Sequence, residues 1–184
     1  ERFPGITAAE PEVLAHHYTQ AGNLAAAIPL WQKAGELALR RVALQEAVGH
    51  FQKGLALIEL LPHSSERDEL ELSIREPLTA AWIGLRGWAA PEVAANATAI
   101  LDLAKGRGTP QSLLIGLWGM WSNTATQGRV ADTLQWAQRL LAEGSEAQDI
   151  DRQIVGHWAA SASFFYLGQL LEAHEQGKCT LALH

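Results

Sequence analysis

Gly128-Arg129-Val130-Ala131-Asp132-Thr133-Leu134-Gln135-Trp136-Ala137-Gln138-Arg139-Leu140-Leu141 is the stretch that decides the fold. A glycine opens it, at a place where a left-handed residue would end one helix before the next begins. Val130, Leu134, Ala137 and Leu141 then recur at three- and four-residue steps, the period of a single helix face. The same grammar returns at Gly168-Gln169-Leu170, with Ala173, Gly177 and Thr180 in the later slots. It occurs first at Gly22-Asn23-Leu24, followed by Ala27, Trp31 and Ala34. Small residues recur in the middle slots, where two helices must approach closely. A degenerate copy spans Ala80 to Leu103, with Val93, Asn96 and Ile100 in those slots. Gly128 and Gly168 lie 40 residues apart, the length of one helix pair.

Outward from these units the chain reads as helix throughout. Leu44, Val48, Phe51, Leu55 and Ile58 form one stripe, and Leu70, Ile74, Leu78, Ala81 and Leu85 another. No sustained alternation or Asn-Gly hairpin signal appears. Pro11, Pro91 and Pro110 suit first helical positions, where a missing N–H costs nothing, and Thr109 can cap the helix that Pro110 opens. Ser65 with Asp68 resembles a capping box. The expected helices cover 11–21, 24–41, 43–61, 66–87, 91–105, 110–127, 129–143, 149–167 and 169–183. Pro29 and Pro77 fall inside two of them, and each removes a backbone hydrogen bond, so kinks are expected. The fold class is therefore all-α, an α-α superhelix of antiparallel helix pairs forming one repeat domain over 1–184.

Composition narrows the function. The 184 residues are 48% hydrophobic and 18% charged, which excludes a disordered chain. The formal net charge is -6, and no basic face suggests nucleic acid as a partner. The most apolar run, Leu113 to Trp121, is far too short to span a membrane and contains Gly116 and Gly119. Glu1-Arg2-Phe3-Pro4 lacks an export pattern, so a cytoplasmic location is expected. A lone cysteine, Cys179, excludes an internal disulfide framework and reads as a small core residue. The chain has no initiator Met and stops in a helical pattern, which suggests a piece of a longer multidomain protein.

No pattern in the sequence carries chemistry. No phosphate loop, His-Glu-x-x-His, Cys-x-x-Cys or nucleophile elbow is present. Lys105-Gly106-Arg107-Gly108 reads as a turn rather than an anion site. His16 and His17 point about 100° apart on a helix and cannot share one metal. His174, Cys179 and His184 drift around theirs. Ser122-Asn123-Thr124 and Ser161-Ala162-Ser163 are polar patches near helix ends. No metal, cofactor or catalytic residue is assigned, and the fragment reads as non-enzymatic. Seven tryptophans are the unusual feature. Trp118 and Trp121 lie three apart and are expected not to face one neighbour fully.

The spacing Tyr18…Gly22…Ala27…Trp31…Ala34 resembles a tetratricopeptide repeat, although 40 residues exceeds the ~34 of that unit. Leu14 to Gly22, Trp31 to Gly35, Gly87 to Val93 and Phe165 to Gly168 resemble one bacterial family more closely. In it a helical-repeat region follows a signal-transduction ATPase domain, often with a class III adenylate/guanylate cyclase domain at the N-terminus. The resemblance implies that this chain is the regulatory repeat arm, binding a protein or peptide or its own neighbouring domains. Gly177 and Thr180 depart from the pattern, so loose packing is expected there. The tetratricopeptide resemblance implies that the first helix of each pair lines a concave groove. Glu12, His16 and Thr19 would form it, then Ala81, Leu85 and Trp88, then Trp118, Ser122 and Ala125, then Trp158, Ala162 and Phe165. Alternatively, Trp118, Trp158 and Phe165 simply pack between units. A second functional reading is a small-molecule effector sensor of a bacterial transcriptional or signalling regulator. Self-association through exposed solenoid ends is also expected.

Overall fold

The computed structural model describes residues 10–105 and 109–183. Every regular element among them is an α-helix: α1 (Pro11–Gln20), α2 (Leu24–Arg40), α3 (Leu44–Ile58), α4 (Ser65–Arg86), α5 (Pro91–Ala104), α6 (Pro110–Thr126), α7 (Val130–Glu146), α8 (Ile150–Tyr166) and α9 (Leu170–Ala182). The all-α expectation holds, and the helix bounds follow the sequence reading closely. The helix expected over 129–143 runs on to Glu146. The contacts divide the chain after Gly87 into two compact units. In the first, α1 packs on α2, α2 on α3 and α3 on α4; in the second, each helix from α5 to α9 packs on the next. Among the described residues no helix is long and apolar enough to cross a membrane.

One turn is used five times. It joins α1 to α2, α2 to α3, α6 to α7, α7 to α8 and α8 to α9, with three residues between helices each time. In each, the N–H of the third residue reaches back five positions: Asn23 to Tyr18, Ala43 to Ala38, Arg129 to Thr124, Asp149 to Gly144 and Gln169 to Phe164, at 2.9–3.0 Å. This is the Schellman closure, and it needs a left-handed residue in the middle. Gly22, Gly128 and Gly168 supply it at φ 71, 74 and 76. Val42 and Gln148 supply it without being glycine, at φ 60 and 52. The left-handed residues 22 and 42, and then 128, 148 and 168, are thus spaced 20 apart. The 40-residue repeat is two such steps, and the glycines mark only some of them.

The repeat slots are the buried stripe of the second helix of a pair, except on α9, where Ala173 is buried and Gly177 and Thr180 are only half-buried. Ala27, Trp31 and Ala34 are buried on α2, Thr133, Ala137 and Leu140 on α7, and Val93, Asn96 and Ile100 on α5. In the first unit these pack with Val48, Phe51, Ile58, Ile74 and Leu78. A Cβ at Gly35 would lie 2.5 Å from the Phe51 ring, so glycine there makes room for that side chain. In the second unit α7 and α8 approach almost backbone to backbone. A Cβ at Gly156 would stand 2.9 Å from the Leu141 amide nitrogen, and one at Gly144 2.9 Å from that of Gln153.

Both internal prolines lie inside continuous helices. Pro77 has no N–H for the Ser73 carbonyl, which a helix would otherwise pair with it. Gln32 of α2 takes the vacant place. Its Nε2 donates to Ser73 O at 3.3 Å, and Ser73 Oγ donates to Gln32 Oε1 at 3.2 Å. A helix fault is thereby turned into a tie between α2 and α4.

Two local expectations are corrected. The cap of α4 is Ser64, whose Oγ accepts from Arg67 N at 3.2 Å, not Ser65; the two adjacent serines offer the same chemistry and the chain uses the first. Cys179 is exposed rather than in the core. Its helix, α9, packs chiefly on α8, so one narrow stripe is covered and Cys179 lies off it. Thr109 caps α6 as expected, accepting from Ser112 N at 3.1 Å.

Candidate functional site

The candidate groove residues divide between the two units. In the first, Glu12 and His16 of α1 border a cavity of about 310 Å³ together with Val13, His17, Trp31, His50 and Lys53. Trp31 is its organising residue. Lys53 Nζ sits 4.4 Å from the indole centroid, a cation–π contact. The His50 ring stacks on the same indole at 5.5 Å. Burial, and secondarily the Lys53 charge, hold the His50 imidazole below its ordinary range, while Glu12 and Glu46 pull the other way. His50 Nδ1 is buried with no hydrogen-bond partner, which suits the neutral ring. Thr19 is not among the residues bordering this cavity. Its Oγ1 accepts from Trp31 Nε1 at 3.0 Å and donates to Ala15 O at 2.7 Å, so it fixes the indole.

In the second unit α6 and α8 touch across α7. Trp118 and Trp121 come from α6 and Trp158 from α8. Their centroids lie 5.0 Å apart for Trp118–Trp121 and 5.4 Å from each to Trp158. Both meet Trp158, but not equally: Trp121 is buried and Trp118 only half-buried, as the expectation that they do not face one neighbour fully implied. Residues three apart lie on one face of a helix, one turn apart, and Trp158 reaches both. Trp121 is buried and pinned, its Nε1 donating to Ser163 Oγ at 3.0 Å, and Ser163 Oγ donating to Ala159 O at 2.8 Å. Trp118 is half-buried and Trp158 is 48% exposed.

Cavities open around this triad. One of about 500 Å³ is almost wholly apolar, with Leu114, Ile115 and Trp118 of α6 and Ile154, Val155 and Trp158 of α8 along it. Another of about 300 Å³ is bordered by Trp88, Trp118, Trp121, Ser122, Trp158 and Tyr166, with Ala125 and Thr126. A third, about 590 Å³, lies between α8 and α9 and includes Trp158, Phe165 and Leu170. Gly177 borders it, where a Cβ would meet only Ser161 Oγ at 3.6 Å, so the packing is open as the departure at Gly177 implied. Five of the candidates, Trp88, Trp118, Ser122, Ala125 and Trp158, therefore meet around one cavity. Phe165, 62% exposed, borders its neighbour.

The polar patches at the ends of α6 and α8 are fasteners. Asn123 is buried and its Nδ2 donates to Trp88 O at 2.7 Å and Ala90 O at 3.0 Å. Gln127 Nε2 adds a bond to Ala89 O at 3.1 Å and one to Asn123 Oδ1 at 2.9 Å. Together they hold the segment that places Trp88. Ser161 Oγ donates to Ala173 O at 2.8 Å and ties α8 to α9. Asp149 caps α8 and pairs with the buried Arg152 at 2.9 Å. The Arg152 backbone N–H, then its side chain, hold that carboxylate below the usual range.

Trp121, Tyr166, Leu114 and Val155 were missed as site residues. The first three lie three or four positions, or two turns, from a named candidate on the same helix, as does Val155 from Trp158, so extending the helical period would have found them. His16 and His17 are exposed, as is His174. Among the described residues no three His, Cys, Asp or Glu side chains form a metal-binding group. Glu1-Arg2-Phe3-Pro4, Gly106-Arg107-Gly108 and His184 lie outside the described residues. No family model, no curated protein and no solved structure matches this chain.

Proposed function

We propose that this chain is a non-catalytic recognition module, a tetratricopeptide-like repeat array that binds a peptide or protein segment along the α6/α8 face of its second unit. The observation that carries this reading is the pair of partly exposed indoles, Trp118 and Trp158, beside an apolar cavity of about 500 Å³ edged by Ile115 and Ile154. Large amphipathic rings are the usual anchors of interfaces, and an apolar groove between helices suits an amphipathic helix. The regular 20-residue spacing supports the repeat and solenoid reading, because each helix then touches only near neighbours and leaves a face free. The resemblance at Gly87 to Val93 and Phe165 to Gly168 supports a regulatory arm beside a signalling ATPase or cyclase domain, working in the cytoplasm.

Selection of peptides from a displayed random library tests the recognition role. The expected result is enrichment of amphipathic sequences whose binding shifts tryptophan emission and is lost in Trp158→Asp with far-UV circular dichroism unchanged. Failure to enrich any sequence, or binding indifferent to Trp158→Asp, refutes the proposal.

A further inference from the structure

The cavity at the Trp88 end of the α6/α8 face differs from its apolar neighbour in kind. It holds about 300 Å³, the lower end of the range of ligand pockets, roughly 300–1,000 Å³. Five of the residues around it are aromatic: Trp88, Trp118, Trp121, Trp158 and Tyr166. Among the described residues no charged side chain borders it. The rings stand at different inclinations, with Trp118 and Trp121 at 24° to one another and Trp158 at 47° and 67° to them. At centroid distances of 5.0–5.4 Å these three indoles pack on one another, so a guest would meet the outward side of the cluster together with Trp88 and Tyr166.

The rings are also held before any guest arrives. Ser163 fixes the Trp121 indole, and Asn123 grips the carbonyls on either side of Ala89, which places Trp88. A preorganised set of π faces is the environment that attracts a soft, weakly hydrated cation, and tryptophan has the strongest face. The chain's formal charge of -6 adds a long-range attraction of the same sign.

We infer that this aromatic enclosure binds a methylated ammonium group. The inference rests on the recognition reading above and adds a chemical class of ligand to it. The group can come from a free small molecule or from a trimethylated lysine in a peptide; the chemistry at the rings is the same.

Titration of the whole chain with choline, followed by tryptophan fluorescence and calorimetry, tests it. The control is choline's uncharged isostere, in which a tert-butyl group replaces the trimethylammonium. Choline is expected to saturate, with the isostere about tenfold weaker, the difference a cation–π contribution makes. Trp158→Leu, which keeps apolar bulk and removes the ring, is expected to weaken choline by a similar factor. Trp88→Leu is the second variant, and far-UV circular dichroism checks the fold of both. A trimethyl-lysine peptide and its unmethylated form distinguish the sources: preference for the methylated peptide over choline assigns a protein tail, the reverse a free metabolite. Equal binding of choline and its isostere, or no saturation by choline or the methylated peptide, overturns the assignment. If the cation ligands fail while library-selected peptides still bind in a Trp158-dependent way, the enclosure alone is wrong; if both fail, the recognition reading falls with it.

Discussion

Val42→Gly tests the turn argument most directly. Val42 holds φ at 60 and is 73% exposed, so its side chain contributes little packing that a substitution could remove. What the substitution changes is the backbone. A left-handed conformation costs an ordinary residue about 1–2 kcal/mol, and a β-branched one is the worst case. Glycine abolishes that cost but enlarges the unfolded ensemble, which takes back about 0.5–1 kcal/mol. The net gain is about 0.5–1 kcal/mol. With a urea m-value of about 2 kcal/mol/M, the midpoint rises by about 0.3–0.5 M at unchanged m. Gly22→Val is the mirror experiment in the same unit, at φ 71 with open space around the added Cβ. It is expected to lower the midpoint by a comparable amount through the backbone alone. Far-UV circular dichroism in urea reads both. A midpoint for Val42→Gly that stays put or falls, with m unchanged, refutes the claim that the turn demands a left-handed residue.

Ser163→Ala leaves the buried Trp121 N–H without its partner and is expected to cost about 1–3 kcal/mol, read as a lowered urea midpoint. Asn123→Ala strips the donors from the Trp88 and Ala90 carbonyls; a loss of about 1–3 kcal/mol is expected, with faster amide exchange in the segment before α5. Gly156→Ala forces a methyl against the Leu141 backbone and is expected to cost about 1–3 kcal/mol, whereas Gly177→Ala, with nothing closer than 3.6 Å, is expected to be near neutral. The depressed His50 imidazole stabilises the fold fully above its unfolded value of 6.5 and progressively less as pH falls through the folded value. The urea midpoint should therefore drop on going from pH 7.5 to about 5.5, and that drop should be smaller in His50→Gln.

The helices were legible because their faces repeat at helical steps and their starts carry Pro11, Pro91, Thr109-Pro110 and Asn23. The period of the fold was only half legible. Gly22, Gly128 and Gly168 announce their turns, but Val42 and Gln148 make the same turn with residues that disfavour it, and propensity alone would not place them there. The site was legible in composition rather than in arrangement. Trp118 and Trp158 stand 40 residues apart and could be assigned to one face by position. That Trp121 would join them depends on Ser163 and on the closeness of α6 and α8, neither of which the spacing of the tryptophans reveals. Cys179 could not be placed from its own residue type, since its exposure follows from what α9 lacks beside it.

The 20-residue spacing constrains how such a chain can change. Each helix turns by about 100° per residue, so a single inserted residue within α6 or α7 would swing every side chain beyond it a quarter-turn out of register. Four residues would nearly restore the angle while lengthening one rod and not its neighbour. A whole helix pair with its turns can be copied or lost without altering phase, because the next junction presents the same left-handed residue and the same five-back hydrogen bond. Because first and second helices bury different faces, sequences of this kind should therefore differ in length by multiples of 40, with the aromatic face of α6 and α8 displaced along the chain as a block and not eroded residue by residue.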